Sequence, residues 1–275
     1  MPTENLTGEA EHSRSFFYWV QSTYEDVREA FLMDEWFAHL VGAKQLDAPV
    51  LHVWRHQGAI VLGIREKELP AVRNAVERFE QKGIQVMSRT SGGAAVWLDD
   101  GVVNVSVIWP GPPGQLSLNA DFENFAAMLD ATLPPIGRAQ FKRGEVKGSY
   151  CPGTYDLSLD GKKICGLAQR RPLRSRIWQA FVNVSDVGSN RAGMVAQFYA
   201  TAGAEDLANS IASNTVSNLS VLLERKINAI SWIELFKDVT ENNSKIQPLE
   251  KQWLQIPNDD QWIAWREQWL DRYRV

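Results

Sequence analysis

One of the two cysteines in this 275-residue chain opens a Pro–Gly turn, Cys151-Pro152-Gly153-Thr154-Tyr155-Asp156. A thiol attacks as the thiolate, and a nearby cation or converging backbone N–H groups favour that form. A glycine-containing turn lets N–H groups point inward, where they can also hold an oxyanion. Lys163 follows closely and supplies the cation. This combination points to acyl transfer through a thioester on Cys151.

The lysine sits on a hairpin. Asp160-Gly161 is a two-residue turn signal, which predicts the pairs Leu159–Lys162, Ser158–Lys163, Leu157–Ile164 and Asp156–Cys165. Alternation then puts Tyr155, Leu157, Leu159, Lys162 and Ile164 on one face. Asp156, Ser158, Lys163 and Cys165 take the other, with Asp156 diagonal to Lys163 and within its reach. Such a face usually meets solvent; buried, it is a polar pocket. Cys165 lies inside a strand beside Gly166 and reads as packing rather than chemistry.

A second candidate segment is Ser88-Arg89-Thr90-Ser91-Gly92-Gly93-Ala94-Ala95-Val96. Its paired glycines let a ligand approach the backbone, and it lacks the Walker pattern of nucleotide phosphate loops.

Several elements must position these segments. Helical spacing covers 28–42, 69–82 (with Pro70 near the first turn and Gly83 past the end) and 119–133, with Asn119 as N-cap and Pro134-Pro135 as stop. Residues 51–54 and 59–63 read as strands joined by a turn at Gln57-Gly58, and 84–87 as a further strand. Residues 94–98 and 102–109 flank Asp99-Asp100-Gly101, a hairpin signal that places Asp99 and Asn104 near the hairpin ends. A proline–glycine loop follows at 110–114. Residues 177–184 form an apolar strand, and the chain from about 204 is mainly helical. Trp262, Trp265 and Trp269 share one helical face there, read as packing. The start, through about Tyr24, reads as loosely ordered, although Phe16, Phe17, Tyr18 and Trp19 form a cluster that usually docks on something. The expected fold class is α+β, mainly antiparallel sheet with packed helices. The expected organisation is an N-terminal extension over 1–24 and a single catalytic domain over 25–275 that includes the C-terminal helices.

Composition narrows the setting. An apolar content of 44% suits a soluble globular protein, and the net charge of −4 argues against a phosphate-driven nucleic-acid binder. No apolar run is long enough to span a membrane, and the polar N-terminus is unlike a secretory signal. Two cysteines are too few for a disulfide framework, so a reducing cytoplasm is expected.

Taken together, the two segments resemble the lipoate/octanoate protein ligase and transferase family, which shares its catalytic domain with biotin protein ligases. The family's R-R-x-S-G-G-G-x-V run is similar to 89–96, and its D-G-[RK]-K-[IV]-x-G-x-[AS]-[QY] run to 160–169. The third glycine is Ala94 here, the second arginine is Thr90, and Trp97 and Leu98 stand where ligases usually carry a histidine. These departures favour a transferase over an ATP-dependent ligase. The Cys151 segment is similar to that of cysteine-dependent octanoyltransferases, especially the branch that draws on the glycine cleavage H protein.

The resemblance implies a biotin/lipoyl protein ligase-like catalytic domain. It implies Cys151 as the acylated nucleophile and Lys163 as the group touching the acyl carbonyl. Arg89, Ser91, Gly92, Gly93, Ala94, Gly153 and Gly166 are the implied acyl- and substrate-binding residues. The implied donor is the octanoylated H protein, and the acceptors are lipoyl domains of 2-oxoacid dehydrogenase complexes; no metal or cofactor, nucleic acid or membrane takes part. Octanoyl transfer from acyl carrier protein, ATP-dependent lipoate ligation and a carrier-binding scaffold are the alternatives. Val96, Val105, Val107 and Ile164 are expected to line the acyl slot. Arg170, Arg171 and Arg174, in a run with Arg176, are expected to steer acidic carrier domains.

Overall fold

The computed structural model describes residues 15–111, 118–137, 140–172, 174–185 and 190–275. The polar segment 1–14 and most of the proline–glycine loop lie outside the described residues. In chain order the strands are β1 (Ser15–Gln21), β2 (Val50–Trp54), β3 (Gly58–Leu62), β4 (Gln85–Ser88), β5 (Val96–Asp99), β6 (Val102–Pro110), β7 (Lys142–Arg143), β8 (Leu157–Leu159), β9 (Lys162–Arg170), β10 (Ser175–Asn183) and β11 (Lys245–Pro248). Eight of them form one sheet in the order β11-β1-β2-β6-β10-β9-β8-β7, and β4-β3-β5 form a second. The large sheet is antiparallel except at β11-β1-β2.

Period-two alternation sorts the large sheet into two buried faces. Val103, Val105, Val107, Trp178, Ala180 and Val182 point into one core with Phe125 and Trp232. Those two residues belong to the helices Leu118–Asp130 and Ala229–Asn243. Asn104, Ser106, Gln179 and Phe181 point the other way, toward the helix α1 (Val27–Gly42) and the small sheet. Asp26 caps α1 by accepting from Arg28 N at 2.9 Å. The helix buries Phe31, Trp36, Phe37 and Leu40, each contributing about 1.5–3 kcal/mol of apolar burial.

Three expectations change. The start is not loose from residue 15 onward: β1 pairs with both β2 and β11, and Phe16 and Tyr18 are buried, so the aromatic cluster docks as a strand. Residues flanking Asp99-Asp100-Gly101 do not form a hairpin. β5 pairs with β3, whereas β6 pairs with β2 and β10, so this turn carries the chain from one sheet to the other. Asp99 is committed elsewhere: Arg191 donates to its carboxylate at 2.8 and 2.9 Å, which fixes the corner. β2 and β3, although joined by a turn, also lie in separate sheets. Asn119 lies inside its helix, which begins at Leu118. Trp262 and Trp265 pack on Trp36 with centroids 4.9 and 6.2 Å away, as the packing reading required.

Candidate active site

Cys151 adopts φ +47°, in the left-handed region that non-glycine residues rarely occupy. Such a conformation costs on the order of 1–3 kcal/mol and persists where surrounding contacts impose it. Those contacts come from Lys163, fully buried on β9. Its ammonium donates to Cys151 O at 2.5 Å, Tyr150 O at 3.1 Å and Asp156 Oδ1 at 2.9 Å. Three donors meet three acceptors, so the lysine is saturated and anchors the turn from below. Asp156 closes the same turn by accepting from Gly153 N at 3.1 Å. Burial pushes the Asp156 carboxyl up, and Lys163 pulls it back only in part.

The thiol itself faces the glycine segment. Ala94 N donates to Cys151 Sγ at 3.1 Å, and an Arg89 Nη2 lies 3.7 Å from the same sulfur. Arg89 is buried, and its other contacts are carbonyls: Val61 O at 3.1 Å, Gly92 O at 3.0 Å and Ala94 O at 2.8 Å. Among the described residues no carboxylate pairs with it. A buried guanidinium without an anion is costly, and a thiolate at Cys151 would serve as its counter-ion. Gly93, at φ +102°, leaves room for this meeting: a Cβ there would stand 2.5 Å from Arg89 Nη2 and 3.0 Å from Cys151 Sγ. Residue 94 serves through its backbone N–H and carbonyl alone, which explains why alanine suffices there. Ala95 N is held by Glu66 Oε1 and Tyr199 Oη, each at 3.1 Å, and Tyr199 donates to Glu66 at 2.7 Å. This pair pins the loop so that the neighbouring N–H points at sulfur. Neither residue stands out in the sequence, because both are distant from the loop and carry no motif.

An apolar slot runs inward from the thiol. Phe31, Trp54, Val61, Val96, Leu98 and Phe181 form its sides, and Ser91, Gly92, Gly93 and Gly153 lie at its mouth. Gly166 lines it too, because Phe181 fills the space where any Cβ would stand. Val105, Val107 and Ile164 do not line it; they face the opposite core, because β6 alternates and the register slips on β8–β9. The slip also replaces the expected Leu157–Ile164 and Asp156–Cys165 pairs with Leu157–Cys165, whereas Ser158–Lys163 and Leu159–Lys162 hold. Both faces of the hairpin are buried, and on one of them Lys163 is met by Asp156 and two backbone carbonyls. Ser91 Oγ and Asn104 Nδ2 are buried and have no hydrogen-bond partner among the described residues. No group of three metal-ligating side chains occurs among the described residues.

Residues 26–241 match the model of the lipoyl protein ligase A/B catalytic domain. The chain belongs to that family.

As a lipoyl protein ligase A/B catalytic domain it has close curated relatives. It is 33% identical over 81% of its length, and 82% of theirs, to an octanoyl-[GcvH]:protein N-octanoyltransferase of Anoxybacillus flavithermus. It is 35% identical over 74% of its length to the protein of the same name from Bacillus velezensis, covering 72% of that chain. In fold it resembles the bi-partite lipoate protein ligase of Thermoplasma acidophilum, whose structure was solved as part of a lipoylation system with its E2 lipoyl domain. The TM-score is 0.63 at 15% identity, covering 96% of this chain and 93% of that one.

Much of the arginine run is already paired. Arg170 pairs with Glu35, stacks on Trp269 at 4.8 Å and donates to Thr90 Oγ1. Arg171 and Arg176 share Asp121, at 3.0 and 2.8 Å. Arg174 is exposed. Internal pairing weakens the field that the run can project toward a carrier.

The two thiols should separate in reactivity. Cys165 is fully buried, and burial pushes its thiol well up. Iodoacetamide should therefore alkylate Cys151 in the native protein and leave Cys165 unmodified until denaturant is added. Arg89→Gln should slow alkylation of Cys151 by about tenfold. Equal labelling of both thiols, or an unchanged rate in Arg89→Gln, would contradict this reading of the site.

Proposed function

We propose that the chain moves an octanoyl or lipoyl group from the lysine of glycine cleavage H protein to the lipoyl-domain lysine of 2-oxoacid dehydrogenase acyltransferase subunits. Cys151 carries the group as a thioester. The observation that carries this reading is the placement of Cys151 Sγ at the mouth of an apolar slot, between Ala94 N–H and the carboxylate-free Arg89. The curated relatives' names supply the donor, and the lipoyl domain in the archaeal system supports the class of acceptor.

The steps follow from the residues. The thiolate attacks the amide carbonyl, and Ser91 Oγ–H and turn N–H groups stabilise the oxyanion; one such donor typically contributes about 3 kcal/mol. The carbon–nitrogen bond breaks as the departing lysine amine takes a proton from solvent, while Lys163 holds the turn that presents the sulfur. The incoming lysine amine then attacks the thioester and gives up a proton to solvent, and the carbon–sulfur bond breaks to restore the thiolate. One amide replaces another, so the exchange is nearly isoenergetic and consumes no nucleotide. Burying seven chain carbons supplies roughly 5 kcal/mol of binding at about 0.8 per methylene. We place the reaction in the cytoplasm, where free thiols persist; among the described residues no helix is long and apolar enough to cross a membrane.

Mixing octanoylated H protein, apo lipoyl domain and catalytic amounts of this chain, without ATP, tests the proposal. The octanoyl group should appear on the lipoyl domain. Transfer only with ATP and free octanoate would indicate a ligase, and transfer only from octanoyl-acyl carrier protein would reassign the donor.

A further inference from the structure

The slot is apolar along its sides but ends on a polar wall. Ser106 of β6 and Gln179 of β10 are register partners, and both line it. Each donates to Asp34 Oδ2 at 2.7 Å. Asp34, on α1, is buried, and its Oδ1 accepts from His52 Nδ1 at 2.8 Å. His52 Nε2 in turn meets Tyr24 Oη at 2.9 Å. Position along the strands puts this wall away from the thiol. Phe181 lies 5.5 Å from the Lys163 ammonium that holds Cys151 O. Gln179 is two residues farther along β10, or about 7 Å on. Its other register partner, Ala168 of β9, also lines the slot.

We propose that Gln179 and Ser106, tied to Asp34, form the stop that sets the length of the acyl chain; this rests on the acyltransferase reading above. An apolar floor yields to a longer chain by a rotamer change. This floor cannot, because pushing either side chain aside strips a donor from a buried carboxylate. A chain that is too short leaves a void and forfeits packing along the sides. Ala168 completes the stop by its small size, since a larger side chain there would move the wall toward the thiol.

The test measures kcat/KM for H protein carrying hexanoyl, octanoyl, decanoyl or dodecanoyl chains. Gln179→Ala removes the amide and should raise the dodecanoyl-to-octanoyl ratio by about tenfold or more, the scale set by one or more methylenes in an apolar site. Ala168→Leu leaves the Asp34 contacts alone and should shift preference the other way, with the hexanoyl-to-octanoyl ratio rising at least about tenfold. Should Gln179→Ala fail to fold, Ala168→Leu alone decides. A wild-type length profile in a folded variant overturns the proposal. Failure of the wild type to transfer any chain length overturns instead the acyltransferase reading on which it rests.

Discussion

Cys151→Ser should abolish transfer between carriers, lowering the rate by on the order of 10⁴-fold or more, while the protein stays folded. The reason is specific to sulfur. Sulfur is intrinsically the stronger nucleophile and here has one N–H and one guanidinium beside it, whereas a serine hydroxyl needs a general base. Among the described residues no histidine lines the slot: His52 is engaged with Asp34 and Tyr24, and His56 accepts from Gly58 N. Stability should change little, within about 1 kcal/mol, because the half-buried side chain is replaced by one of nearly the same shape. The turn's conformation is imposed by Lys163 and Asp156 through contacts to the backbone around residue 151, and these do not depend on sulfur. Thermal unfolding and a steady-state transfer assay together check both halves of this expectation.

Lys163→Met should produce a second kind of loss. Removing the ammonium leaves the Asp156 carboxylate buried without its partner, at a cost of about 3–5 kcal/mol. It also frees the carbonyls of Tyr150 and Cys151, so the strained turn loses its anchor. Activity should fall by roughly 10²–10³-fold, the scale of one preorganised electrostatic group. The double variant Lys163→Met/Asp156→Asn separates the two roles. It removes the uncompensated charge and keeps an acceptor for Gly153 N, so most of the stability should return. Activity should not, because the carbonyls of Tyr150 and Cys151 still lack their donor and the turn that presents the thiol stays unanchored. A double variant that recovers both would show that the turn presents the thiol without the ammonium.

The sequence was most legible where local chemistry decides structure. Asp160-Gly161 correctly predicted the turn, and with it the pairing of Lys163 with Ser158. The paired glycines were read as room for a ligand; at Gly93 the thiol and Arg89 of the same chain take that room. What was hidden depends on contacts between distant segments. The Asp99-Asp100-Gly101 turn looks like a hairpin until Arg191, 92 positions on, claims the aspartate. Valines on β6 suit an acyl slot by type, but the pleat sends Val105 and Val107 to the other face and brings Asn104 and Ser106 to the slot. Lys163 was expected to meet the substrate, and its three hydrogen bonds instead hold the turn that presents the thiol. Arg89 was expected to meet the substrate too, and it meets the nucleophile. Period and motif report which residues share a segment; they do not report which segment folds against them.

The most direct measurement is the intact mass of this chain after brief mixing with octanoylated H protein and no acceptor. One octanoyl group should be added, mapped by proteolysis to Cys151, present in Cys165→Ser and absent in Cys151→Ser. The adduct should disappear when an apo lipoyl domain is added, with octanoyl recovered on that domain. Transfer at the wild-type rate by Cys151→Ser, or turnover with the octanoyl group never found on this sulfur, would contradict it.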